Sequence, residues 1–464
     1  MTGVSYSTGS GGVGPTPPGQ LNLAGRMERL PLTKFQVRLF AIIATAWLFD
    51  SVDLAALTFV LAPISKEFDL SLTQAGLLAS VSFAGMVIGA GAAGILADRF
   101  GRRPVFVTSM IVWGLASFGA AASWDLTSLL AFRLLIGIGM GAEFPVAQAL
   151  LSEFIPASHR GRYLGWLEGF WPIGFIACGA LSVVIVPWLG WRSLFVVQGV
   201  LAVFALVIRR NVPESARWYE STGRTTEAAQ AVADFEARVE EAYARPLPPV
   251  ESKFAVETTV STKSAFAELL SPRYRTRTIM AWTLWFCVLL GYYGITTWMG
   301  KLLADQGMTI TKSISFVLLM ALWGIPGFLV ASHLLERIGR RMTVISFVLL
   351  SAAAAYMYGM STTTTAILVA GSVMQFFFFG MWSALYAYTP EVFPTRARAT
   401  GCGTSSAIGR VGAILGPLMV PVMLTHWGQT SAFVVAAAFF VIAAITVWFL
   451  GPETKGRTLE DVSS

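Results

Sequence analysis

The sequence predicts an all-α membrane protein of twelve transmembrane helices arranged as two pseudo-symmetric six-helix bundles. Three observations carry that expectation: long apolar runs recur along most of the 464 residues, basic residues are partitioned between alternate loops, and loop motifs return at one fixed offset. A soluble chain of this length would divide into two or more domains with charged surfaces. Here 55% of the residues are hydrophobic and only 13% are charged, too few to wet such surfaces, so lipid is the expected solvent.

A helix rises about 1.5 Å per residue, so about twenty apolar residues cross roughly 30 Å of hydrocarbon. Segments that meet this need cover 39–62, 73–97, 104–123, 127–152, 163–187 and 191–208 in the first half. In the second they cover 277–302, 313–335, 342–359, 363–388, 401–425 and 429–450. Residues 1–38 are rich in Gly, Ser and Pro and read as a disordered cytoplasmic tail, because no apolar stretch there leads to a small-residue cleavage site. The first bundle is expected over 39–208 and the second over 277–450, with a short cytoplasmic tail at 451–464. Between them, the linker 209–276 holds an amphipathic patch from Thr225 to Ala244, the signature of one or two surface helices.

A net charge of +7 raises the question of nucleic acid, and the placement of the 33 Lys and Arg answers it. Lys66, Arg192, Lys301 and Lys312 fall on one side, Arg133 and Arg410 fall inside helices, and all the others share the side of the two termini. This is the positive-inside pattern of a multi-pass protein with both termini in the cytoplasm, here of a bacterial inner membrane, and no nucleic-acid partner is expected. Cys178, Cys287 and Cys402 lie singly in apolar segments, as packing residues do. Three His without ligand spacing give no metal site, and no GxxxxGK[ST] loop is present to bind ATP. Neither a cofactor nor an enzymatic activity is expected, and the chain reads as a monomer.

The repeat sharpens the two-half reading. GILADRFGRR (Asp98, Arg99, Arg103) returns as HLLERIGRR (Glu336, Arg337, Arg340), with its acid displaced by 238 positions. Glu153, Pro156 and Arg160 return as Glu391, Pro394 and Arg398 at the same offset, and PESARW at Pro213 returns as PETKGR at Pro452. Three ordered matches make a duplication of six helices. Chemically, Asp98, Arg99, Arg103, Glu153, Arg160, Glu336, Arg340, Glu391 and Arg398 suit a switchable cytoplasmic gate. Such carboxylates can cap a neighbouring helix or pair with Arg160 or Arg103, in contacts expected to hold only while the cytoplasmic ends are together. The plainer reading is that arginine-rich loops set topology alone.

These loops, together with RLLIGIGMGAEFP and EFIPASHRG, resemble the major facilitator superfamily in its sugar-porter-like branch, over nearly the whole chain. Within it, WLFDSVDLAAL, GMGAEFPV and LEGFWPIG are similar to the bacterial niacin transporters and their synaptic-vesicle-two-like relatives. Aromatic-acid:proton symporters are the next pattern. LWFCVLLGYYGITTW lacks the Gln that sugar porters carry in helix seven, which disfavours a hexose. The resemblance implies the major facilitator fold and alternating access. It also implies that Asp53 meets Arg133 across the first half.

Charges within a bilayer cost several kcal/mol unless paired, wetted or functional. Asp50, Asp53, Arg133 and Glu143 are the proton-coupling candidates, Asp50 and Asp53 sharing one helical face. If Asp53 is held by Arg133, Asp50 is the group left to titrate; the alternative is a static pair that only fixes packing. Depth along the helices places Trp171, Trp382, Glu143 and Arg410 at about 9 to 14 Å from the cytoplasmic side. Trp171 and Trp382 would face one another and grip a flat ring, with Arg410 for a carboxylate. Tyr292, Tyr293, Trp298, Gln375 and Tyr386 are further substrate-binding candidates. The expected function is proton-coupled import of a small aromatic carboxylate, niacin first. A benzoate-like:proton symporter or uncoupled facilitator is one alternative, and a non-transporting receptor on a transporter scaffold is the other.

Overall fold

The computed structural model describes residues 23–250, 262–394 and 397–455, and every regular element among them is helical. Twelve helices there are long and apolar enough to cross a bilayer. They are α1 (Lys34–Glu67), α2 (Leu72–Phe100), α3 (Arg102–Ala121), α4 (Leu126–Phe154), α5 (Ser158–Leu189) and α6 (Arg192–Asn211) in the first half. The second half contains α7 (Arg275–Asp305), α8 (Ile310–Arg337), α9 (Arg340–Gly359), α10 (Thr364–Glu391), α11 (Thr400–Trp427) and α12 (Gln429–Leu450).

Local chemistry sets their starts. Ser71 and Gln74 bond each other's backbone N–H at the head of α2, and Asp125 and Ser128 do so at α4, satisfying donors a helix leaves open. The α2–α3 and α8–α9 turns are made by Gly101 at φ +100° and Gly339 at φ +97°, conformations that side-chain-bearing residues rarely adopt. The duplication is thus visible in the backbone itself.

Each half buries its own helix faces, and the two halves meet at a few points. On α2 and α11, Ser80 Oγ donates to the carbonyl oxygen of Ile414 at 2.8 Å, and Gly76 lies against Pro417 and Pro421. On α5 and α8, Gly179 lies against Leu318; on α7 and α1, Gly300 lies against the carbonyl of Thr58. Ring pairs Phe83–Tyr293 at 4.5 Å and Phe175–Phe379 at 5.7 Å add two more bridges.

All these contacts lie at mid-depth or toward the side opposite the chain termini. Toward the terminus-bearing side, here called the basic side, the faces continue but the partners do not. Gly91 and Gly94 continue the α2 face of Gly76 and Ser80 at three- and four-residue steps, as Gly403 does for α11 and Gly161 and Gly165 for α5. A methyl added at any of these five glycines would meet nothing within 4 Å. The cleft between the halves therefore opens to the basic side.

The expected tail over 1–38 needs correction. Leu23–Glu28 is helical and α1 starts at Lys34, while residues 1–22 lie outside the described part. The short helix docks on the linker helix Thr225–Tyr243 through a small core of Leu23, Ala228 and Val232. Arg26 and Arg29 both pair with Glu236, at 2.5 and 2.8 Å. Phe235 packs on Phe35 and Phe154, so the linker helix belongs to the first bundle. A second linker helix covers Thr262–Leu269.

Candidate functional site

The first half contributes a line of side chains on α1. Trp47, Asp50 and Asp53 recur every three residues and so share one helix face, turned to the interior where all three are at most 2% exposed. Two contacts fix α1 against the antiparallel α4. Trp47 meets Phe144 edge to face at 4.7 Å, and Asp53 Oδ2 lies 3.5 Å from Arg133 Nη1. The Arg133 guanidinium also sits over the Phe195 ring of α6 at 5.8 Å, which supports a cation cut off from water.

Between those two contacts lie Asp50 and Glu143. Each is 1% exposed, and neither carboxylate has a hydrogen-bond partner among the described residues. The charged neighbours of Asp50 are Glu143, Asp53 and Arg410. Two unpartnered buried carboxylates side by side are costly unless a proton or a cation accompanies them.

Arg410 supplies that cation from the second half. Its guanidinium donates to the Met86 thioether at 3.3 Å and lies over the Phe144 ring at 5.3 Å, both residues of the first half. A thioether is a weak acceptor, so among the described residues Arg410 has no strong hydrogen-bond partner. Tyr386 and Tyr293 stand near it together with Asp50.

Around Arg410 the second half is aromatic. Trp382 stacks on Tyr386 at 5.8 Å and 28°, and meets Tyr292 and Tyr293 edge to face at 5.3 and 6.2 Å. Gln375 on the same helix is buried without a hydrogen-bond partner among the described residues. Trp171 belongs to a separate group with Trp47 and Phe144, at 6.4 and 5.7 Å. The two indoles therefore sit in different clusters, one per half, and no ring contact joins them among the described residues. Trp298 is not a lining residue: it is wholly buried and its Nε1 donates to the carbonyl of Pro417, tying α7 to α11.

Sequence reasoning passed over Trp47, Phe144 and Met86. All three look like ordinary packing residues in an apolar helix, and only their position beside Arg410 and Asp50 sets them apart. Glu168 accepts from Gln148 Nε2 at 3.2 Å and neighbours Tyr386 across the cleft, so it lines the cleft beside the aromatic cluster.

The gate candidates assemble differently from the expected pairs. Glu153 pairs with Arg102, not Arg103 or Arg160, and accepts from Ser215 Oγ at 2.5 Å. Glu391 pairs with Arg340 at 3.2 Å and accepts from Thr454 Oγ1 at 2.5 Å. Glu214 accepts from the backbone N–H of Arg102 and Arg103, and Glu453 from that of Arg340, each at a helix N-terminus. Arg103 and Arg341 donate to the carbonyls of Arg209 and Trp448. Arg160 pairs instead with Glu28 at 2.7 Å, and Arg398 donates to the carbonyl of Pro390. The Asp98 carbonyl accepts from Trp218 Nε1, Arg99 lies over the Phe100 ring, and Glu336 stands in the last turn of α8. Among the described residues, the pairs named above each lie within one half and are formed while the basic ends stand apart. The expectation that these contacts require the ends to be together is corrected, because both members of every pair ride on the same bundle.

Comparison with known proteins agrees with this geometry. The sequence profile described as Major Facilitator Superfamily matches residues 42–341 and 317–463. The niacin transporter NiaP of Acinetobacter baylyi is 36% identical over 443 residues, covering 95% of this chain and 100% of that one. The synaptic vesicle 2-related protein of Xenopus laevis is 28% identical, covering 94% of this chain and 82% of its own. Among solved structures, the partially occluded inward-open xylose transporter XylE of E. coli superposes with a TM-score of 0.73 at 18% identity, over 92% of this chain and 100% of its own.

Proposed function

Since this chain belongs to the major facilitator superfamily and is a multi-pass membrane transporter, we propose that it imports a small aromatic carboxylate, niacin foremost, in symport with protons. The carrying observation is Arg410: a half-buried guanidinium bonded to a thioether, beside the Trp382–Tyr386 stack and Tyr293. A planar ring bearing a carboxylate matches both parts, the ring on the aromatic faces and the carboxylate on the fork of the guanidinium. The 36% identity to a niacin transporter over nearly the whole chain supports niacin within that class.

In this reading the basic side faces the cytoplasm of an inner membrane, in keeping with the positive-inside bias. The cleft described above is then inward-facing. The halves rock about the site formed by α1, α4 and α5 on one side and α7, α10 and α11 on the other. Asp50 and Glu143 carry the coupling proton, while Asp53 stays paired with Arg133.

The test is uptake of labelled niacin into proteoliposomes with and without an inward-directed proton gradient. Accumulation that follows the gradient is expected, and Trp382→Ala should weaken niacin binding by more than tenfold with expression unchanged. Accumulation of benzoate in place of niacin would move the cargo to the aromatic-acid class. Uptake indifferent to the gradient would remove coupling, and binding without flux would mark a receptor.

A further inference from the structure

Among the described residues, three charged side chains at the centre have no partner of opposite charge in an ion pair. Asp53 and Arg133 cancel one another at 3.5 Å, which leaves Asp50 and Glu143 as acids and Arg410 as base. Asp50 and Glu143 are wedged between the Trp47–Phe144 and Asp53–Arg133 contacts, and Arg410 reaches the same place over the Phe144 ring. The other titratable groups about this point are Tyr293 on α7 and Tyr386 on α10, both neighbours of Arg410, and Glu168 on α5. Glu168 is half-buried in the cleft and accepts a hydrogen bond from Gln148 Nε2 at 3.2 Å, which sets it apart from the unpartnered pair.

Carboxylates as buried as Asp50 and Glu143, each 1% exposed, tolerate little unbalanced charge. With no cargo, one proton held between Asp50 and Glu143 leaves a single negative charge to balance Arg410. When a cargo carboxylate takes Arg410 as its counter-ion, that negative charge loses its partner, and the pair reaches neutrality by binding a second proton. We propose that Asp50 and Glu143 form a shared proton store whose occupancy rises by one when a carboxylate engages Arg410. Transport of a monovalent carboxylate is then electroneutral, with one proton per molecule. The proton moves from water to a carboxylate oxygen on loading and returns to water on release; no bond other than O–H is made or broken. This rests on the carboxylate reading of the cargo and adds its stoichiometry and the redundancy of its two acids.

Redundancy gives the decisive signature. Asp50→Asn leaves Glu143, the acid that neighbours it, and Glu143→Gln leaves Asp50 beside Arg410, so either single variant retains one acid of the pair. Only the double variant lacks both acids of the pair. The experiment adds niacin, or any small carboxylate that binds, to purified transporter in weakly buffered solution and reads proton uptake with an indicator dye. Ligand binding is followed in parallel by tryptophan fluorescence. The expected result is about one proton per bound carboxylate in the wild type and in each single variant, and none in the double variant.

Loss of proton uptake in one single variant that still binds ligand would overturn the shared store in favour of a lone acid. Binding without proton uptake in the wild type would overturn it outright. If niacin fails to bind but another carboxylate binds with one proton, the cargo reading falls and the proton store stands. If no carboxylate binds, both fall. Should the double variant not fold, the wild type in proteoliposomes still decides: uptake driven by a pH gradient and indifferent to a potassium diffusion potential is expected. Uptake driven by the potential would refute electroneutrality.

Discussion

Ser80 on α2 donates its hydroxyl hydrogen to the carbonyl oxygen of Ile414 on α11 at 2.8 Å, tying the two halves on the far side of the Arg410–Met86 contact from the open cleft. On one side of it Gly76 is pressed against Pro417 and Pro421; on the other, Gly91, Gly94 and Gly403 face open space. The seam between α5 and α8 repeats the pattern, since Gly179 touches Leu318 while Gly165 and Gly161 touch nothing. Closure on the basic side must bring these bare helix faces together, because glycine lets backbones approach most closely.

Gly165→Leu is therefore expected to fold well and transport poorly. There is room for the side chain in the open state, and replacing glycine inside a helix contributes up to about 1 kcal/mol of helix stability. The leucine instead blocks closure, so substrate binding from the basic side persists while uptake falls by at least tenfold. Proteoliposome uptake measured beside ligand binding checks this; full uptake would show that α5 does not close there.

At the opposite end the same logic runs in reverse. Gly300 rests against the carbonyl of Thr58, and Gly76 has Pro421 Cγ 2.8 Å from where its Cβ would stand. Gly300→Val wedges α7 away from α1 and should favour the state closed on the basic side. Labelling of a Gly161→Cys background by a membrane-impermeant thiol reagent from the basic side should slow in consequence. An unchanged labelling rate would mean that α7 yields locally instead.

Much of this architecture was legible in the sequence because a bilayer leaves few options. Twelve apolar runs had to become helices, and the offset of 238 residues had to be a second bundle. The site was legible in part, since Asp50, Arg133, Glu143 and Arg410 declare themselves as charges where charges are costly. Pairing was not legible. One residue along a helix turns a side chain by about 100°, and this decides that Arg102 rather than Arg103 reaches Glu153. Glu214 and Glu453 look like ordinary loop acids until the folded chain sets them at the N-termini of α3 and α9. In the sequence Trp298 reads as an aromatic in a cavity-lining helix, but in the fold its indole N–H donates to the carbonyl of Pro417.

Asp53→Asn should be among the most damaging single changes in the first half. It leaves the Arg133 guanidinium buried beside Phe195 without its counter-charge, and breaking such a pair costs about 3–5 kcal/mol. Replacing both residues, as Asp53→Asn with Arg133→Met, removes the stranded charge and should recover much of the loss. Thermal unfolding in detergent distinguishes the cases. A single variant as stable as the wild type would show that water reaches Arg133.

The linker contact offers a pH-dependent prediction outside the membrane. Burial works against the charge of Glu236, but hydrogen bonds from Arg26 and Arg29 outweigh it and hold the carboxyl below its ordinary value. A carboxyl depressed in the folded state contributes stability above its unfolded value and loses it as pH falls through the folded one. Docking of Leu23–Glu28 on the linker helix should thus be complete at neutral pH and weaken only below the ordinary carboxyl range, near pH 4 and under. Glu236→Gln removes the dependence and loosens the contact at every pH, since an amide accepts from arginine without charge assistance. Trypsin reports this directly: cleavage after Arg26 and Arg29 at neutral pH should be slow in the wild type and several-fold faster in the variant. Equal cleavage rates would place the hold on Leu23, Ala228 and Val232 instead of on the ion pairs.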